Sequence, residues 1–106
     1  MDKLLETLKS MSSDELDTLL DQRDENPFDS AWVNLNQLAG EVEASIDNKD
    51  LFIKLSNATN HHEVCSYIVD DFELINKAET LGIESKFLDY LKQCYEQGYV
   101  PREWNS

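Results

Sequence analysis

Residues 60–82 read NHHEVCSYIVDDFELINKAETLG. Val64, Ile68, Ile75 and Ala78 recur at helical spacing, and at about 100° per residue they point within about 40° of one direction. Asn60 can cap such a segment, and Gly82 is the residue type that turns left-handed just past a helix end. The spacing therefore predicts a helix from His61 to about Leu81. Asp71 falls about 20° from Val64, inside the apolar stripe. Its carboxylate is aimed at the core, where the charge costs several kcal/mol unless it is paired or hydrogen-bonded. Asp71 is thus predicted to be a buried polar residue that accepts bonds from a Trp or Tyr donor or an unpaired helix N-terminus, unless the helix bends to expose it, or else to form the floor of a partner or ligand groove.

Outward from this segment the period stays helical, and no run of alternating β-branched residues lies between turn signals. Leu4, Leu5, Leu8 and Met11 mark a first helix that breaks near residues 10–12. Ser12-Ser13-Asp14-Glu15 reads as a capping box, with Glu15 three residues after the N-cap Ser12. The second helix buries Leu16, Leu19 and Leu20 and is expected to fray in the charged run 21–25. Asn26-Pro27 starts a third helix with Pro at its first position. Its stripe Phe28, Trp32, Leu35, Ala39, Val42 and Ile46 extends it to about Asp47, across Gly40. A turn over 47–49 leads to a fourth helix through Leu51, Phe52, Leu55 and Ala58. Phe87, Tyr90, Leu91, Cys94 and Tyr95 form the face of a sixth helix, closed by Gly98 and followed by an extended tail through Trp104. The reading is one all-α domain over residues 1–106, a bundle of five to six mostly antiparallel helices joined by short connections.

The chain has 106 residues, 22 Asp plus Glu against 9 Lys plus Arg, and a net charge of -13. That length leaves room for one core and no second domain. Four Phe, four Tyr and two Trp, with apolar positions throughout, exclude a disordered acidic tail. The charge disfavours direct contact with a phosphate backbone or an anionic membrane. Met1-Asp2-Lys3 leads straight into a periodic segment, without a basic n-region or an apolar h-region, so a cytoplasmic protein is expected. Two cysteines make no disulfide framework, and both fall at or near apolar faces, which fits buried reduced thiols.

Catalytic and metal constellations do not assemble from these residues. Asp70 and Glu73 point away from Asp71 on a helix, so the three acids do not converge on one reacting centre. His61 and Cys65 are one turn apart, but His62 diverges by about 100° and the only other thiol, Cys94, is distant. The two imidazoles read as first-turn surface groups. Cys94, central on its apolar stripe, reads as an inert small hydrophobe. No cofactor, metal or catalytic residue is expected.

The acids are unevenly placed. Residues 1–26 hold eight against three bases, and residues 61–83 hold five against Lys77 alone. Such a field raises encounter rates with a cationic partner and rejects wrong ones. The chain is therefore expected to be a non-catalytic protein-binding protein, an inhibitor or immunity protein that blocks a basic macromolecule such as a nuclease or toxin. Its partner-binding residues are expected to be Asp14, Asp17, Asp21, Asp24, Glu63, Asp70 and Glu73. Trp104 joins them as an aromatic anchor, unless it packs across the bundle. The alternative is a structural or regulatory adaptor that binds through an apolar helix groove, its charge serving solubility only.

Overall fold

The structure, a computed structural model, describes residues 2–40 and 48–104. Among the described residues six helices carry the fold: α1 (Asp2–Lys9), α2 (Ser13–Arg23), α3 (Phe28–Ala39), α4 (Asn48–Thr59), α5 (His62–Thr80) and α6 (Lys86–Glu96). No strand occurs among the described residues. The longest helix, α5, packs against α2, α3, α4 and α6, while α1 lies on α4 and α3 also meets α6. Contacts between elements distant in sequence thus accompany the sequence-adjacent pairs. The core that these contacts close includes Leu4, Leu8, Leu16, Leu19, Leu55, Val64, Ile68, Leu74 and Leu91, each at most 2% exposed.

The helix ends follow local chemistry. Ser12 Oγ accepts from Glu15 N–H at 3.1 Å and Glu15 Oε1 accepts from Ser12 N–H at 3.4 Å, so the capping box is formed. The second helix ends inside the charged run 21–25, as expected, with Asp24 as its C-cap. It holds to Arg23, whose side chain is buried. Pro27, which follows a cis peptide bond, occupies the N-cap of α3 rather than its first turn.

α3 stops at Ala39, not near Asp47. Gly40 takes φ +66°, a conformation that ends a right-handed helix and that a residue with Cβ resists. Val42 and Ile46, expected to extend this stripe, lie outside the described residues, as does Asp47. The expected turn over 47–49 is corrected in its second half, because Asn48 and Lys49 already belong to α4.

At the start of α5 the cap is His61 and not Asn60. Asn60 adopts φ +50°, and His61 Nδ1 accepts from Val64 N–H at 3.2 Å. His61 is therefore no solvated surface imidazole: its side chain is 12% exposed. At the other end Gly82 N–H donates to Glu79 C=O and Ile83 N–H to Ala78 C=O, the paired bonds that close a helix at a left-handed residue. Gly98 closes α6 in the same way. The extended tail returns to the core, with Val100 and Pro101 buried and Tyr99 exposed.

Candidate protein-binding face and the ion pair beneath it

Asp71 is fully buried, and both of its oxygens are saturated. Oδ1 accepts from Arg23 Nη2 at 2.6 Å and from Trp32 Nε1 at 2.9 Å. Oδ2 accepts from Arg23 Nη1 at 2.7 Å and from the Tyr95 hydroxyl at 2.5 Å. These donors come from α2, α3 and α6, so one carboxylate of α5 ties four helices together. The two parallel bonds from Arg23 are the fork geometry that guanidinium and carboxylate planes favour. Phe28 and Tyr67 lie on Arg23, their ring centres 4.9 and 5.3 Å from its Cζ.

Burial works against the Arg23 charge, but the adjoining Asp71 carboxylate outweighs it and holds the guanidinium above its ordinary pKa. Burial, and after it the Asp71 charge, pushes the Tyr95 phenol well above its ordinary range. Trp and Tyr donors to Asp71 were expected from the sequence. Arg23 was missed, although it stands seven residues after Leu16, two turns along the same apolar stripe.

Above this pair the surface is acidic. Asp14, Asp17, Asp21 and Asp24 recur every three or four residues along α2 and its C-cap, and all four are exposed. Two of them are tied to α5. Asp17 Oδ1 lies 2.7 Å from His61 Nε2, and Asp24 Oδ1 accepts from the Tyr67 hydroxyl at 2.9 Å. Glu63, Tyr67 and Asp70 share one side of α5 by the same spacing, with Glu63 and Asp70 exposed. These two contacts set the two acidic rows side by side.

Where the rows approach α3 they border a cleft of about 270 Å3 lined by Arg23, Asp24, Phe28, Asp29, Trp32, Tyr67 and Asp70. Asp24 and Asp70 meet there with Asp29, which sequence reading did not select. The Asp70 carboxyl is pushed up by partial desolvation and then by the nearby Glu73 and Asp71 carboxylates, against Arg23 and Lys77. Glu73 itself is half-buried. Trp104 lies away from this cleft. It is half-buried, with its ring centre 5.2 Å from that of Phe87 and 5.4 Å from that of Tyr90.

Both cysteines are free thiols, Cys65 buried and Cys94 only half-buried, which corrects the expectation of two buried groups. Among the described residues no group of three or more His, Cys, Asp or Glu is placed to hold a metal ion. No helix among them is long and apolar enough to cross a membrane.

A family model fits this chain over nearly its whole length. Residues 1–102 match the model described as Immunity protein PIM1. The chain belongs to this immunity protein family. Membership implies a protein partner such as a toxin, and the PIM1 match spans all six helices, both acidic rows and the Arg23–Asp71 pair. No curated protein sequence and no solved structure matches the chain.

Proposed function

We propose that this chain is a cytoplasmic immunity protein that binds a cationic protein toxin through the acidic rows of α2 and α5 and blocks it without catalysis. The observation that carries the reading is the alignment of those rows by the Asp17–His61 and Asp24–Tyr67 contacts. Exposed like charges held side by side repel one another, and a docking cationic surface relieves that repulsion. The same field steers the encounter and rejects acidic partners. Asp14, Asp17, Asp21, Asp24, Glu63, Asp70 and Glu73 supply the charge. Trp104, packed on Phe87 and Tyr90, is assigned to the bundle and not to the contact.

The reading is tested by co-expression. The protein captured by this chain in its native host is produced in a sensitive bacterium with and without the chain. Growth arrest relieved by the chain is the expected result. A captured partner that is harmless alone, or whose toxicity the chain does not alter, contradicts the immunity reading.

A further inference from the structure

The imidazole of His61 is held at both nitrogens. Nδ1 accepts from Val64 N–H at 3.2 Å, and Nε2 lies 2.7 Å from Asp17 Oδ1. The main chain is fixed as well, because His61 N–H donates to Thr59 Oγ1 at 3.1 Å. With two ring edges and the backbone engaged, the ring cannot turn to suit a new proton without giving up one of these contacts.

Two of the contacts favour opposite protonation. The cap of α5 uses the lone pair of Nδ1, which is present only while that nitrogen carries no proton. The positive end of the α5 dipole also opposes a cation at this position. The contact with α2 favours the imidazolium, since Asp17 is a carboxylate and Asp14 and Asp21 stand one turn to either side of it. α4 ends next to His61 in Ser56-Asn57-Ala58-Thr59, which carries no charge. On α5 itself His62 and Glu63 are exposed, and the buried Cys65 thiol lies 3.4 Å from Thr59 Oγ1.

We propose that His61 is a pH-sensitive latch between α2 and α5. A proton taken up on Nδ1 brings two donors face to face, Nδ1–H and Val64 N–H, so the cap opens while Nε2–H stays on Asp17. The first turn of α5 then lacks its side-chain cap and frays, and Glu63 leaves its register with the acidic row of α2. The charge gained by the ring also offsets that of Asp17. The Tyr67–Asp24 link carries no imidazole and stays closed, so the loosening is confined to the start of α5. The consequence for binding rests on the reading that these rows meet a cationic toxin: acid weakens the hold and neutral pH restores it.

The test follows the full 15N-labelled chain from about pH 7.5 to about pH 5.5, a range in which imidazoles change charge. Long-range 1H–15N correlation reads the protonation of each ring nitrogen. Amide exchange, corrected for its intrinsic pH dependence, reads the cap. The His61 Nδ1 signal and the Val64 amide are expected to change over the same interval. Protection of the Val64 amide is expected to fall roughly two- to thirtyfold, the range of a lost helix cap. The Leu88 amide, capped by the Ser85 hydroxyl, is expected to keep its protection. His61→Asn supplies a capping acceptor that does not titrate and is expected to abolish the response, whereas His62→Asn retains it.

A protonated His61 with Val64 still protected, a His61 that stays neutral at the acid end, or an unchanged response in a folded His61→Asn chain overturns the latch. If that variant does not fold, the titration of the parent chain decides by itself. Failure of the immunity reading is seen separately, in the toxin co-expression experiment, and leaves the latch of the free chain standing.

Discussion

Arg23 closes on Asp71 across 48 residues of chain through two bonds of 2.7 and 2.6 Å, and neither side chain is more than 5% exposed. A buried pair of this kind contributes little net stability compared with a well-packed apolar substitute, but removal of one partner strands the other charge. Asp71→Ala strands Arg23 and also leaves the Trp32 and Tyr95 donors without an acceptor. Its expected cost is about 3–5 kcal/mol, against about 0.5 kcal/mol or less for Asp70→Ala at the exposed neighbouring position. Urea midpoints of the two variants check this, and equal midpoints contradict it.

The pair is also expected to be coupled. Arg23→Met and Asp71→Leu are each costly alone, whereas the double variant removes both charges together. Its loss is expected to be smaller than the sum of the two single losses. It does not return to the parent stability, because Trp32 and Tyr95 still lose their acceptor. Additive losses in the double-mutant cycle speak against an ion pair between these residues.

Both members of this pair were visible in the sequence as charged residues on apolar stripes, Asp71 between Val64 and Ile75 and Arg23 two turns after Leu16. Only the acid was recognised, because Arg23 sits within the run 21–25, whose charge density reads as a fraying helix end. The capping box at Ser12 and the stop at Gly82 were legible because each depends on residues within a few positions. The end of α3 was misread because a continuing apolar period outweighed one glycine. His61 took the cap from Asn60 because an imidazole can accept from a backbone N–H while Asn60 turns left-handed. Asp29 escaped notice because its place beside Asp24 and Asp70 depends on how α3 meets α5, which no local pattern encodes.

High pH is expected to destabilise the fold through Tyr95. Its phenol is held well above the ordinary value of 10.0, first by burial and then by Asp71, so the folded chain keeps a proton that the unfolded chain releases. The stability from this group is present below pH 10 and is lost as pH rises beyond it. Tyr67 and Tyr90 are raised by burial and add to the same trend. Phenolate absorbance and helical circular dichroism, followed together above pH 8, are expected to show Tyr95 ionising only as the helices are lost. Ionisation of all four tyrosines near pH 10 with the helices intact contradicts this burial.

The imidazole of His61 has an assigned tautomer. Its Nδ1 accepts from Val64 N–H, so the ring proton sits on Nε2, which donates to Asp17. Long-range 1H–15N correlation is expected to show the Nε2–H form in the neutral ring. His61→Ala removes both the cap of α5 and its link to α2, at an expected cost of about 0.5–2 kcal/mol. An Nδ1–H tautomer is incompatible with this cap.

Two glycines separate backbone strain from steric contact. Gly82 and Gly98 both have positive φ, but a Cβ at Gly82 meets nothing within 4 Å. At Gly98 it would lie 2.7 Å from Lys3 Cβ and 3.0 Å from the Lys3 carbonyl carbon. Gly82→Ala is expected to lose about 1–2 kcal/mol from conformation alone. Gly98→Ala is expected to lose more, because α1 must also move away from the end of α6. Thermal midpoints in the reverse order contradict the close approach of Lys3.

Whether paired acidic rows serve recognition is decided by the ionic-strength dependence of association. The partner captured from the host is purified and its association rate with this chain measured at 50 and 500 mM NaCl. The rate is expected to fall on the order of tenfold or more at the higher salt, as electrostatic steering is screened. Neutralisation of Asp17, Asp24 and Asp70 together is expected to remove most of that dependence. A partner with a neutral contact surface, bound at the same rate and affinity in both salts, contradicts an electrostatic plug and leaves an apolar-groove adaptor in its place.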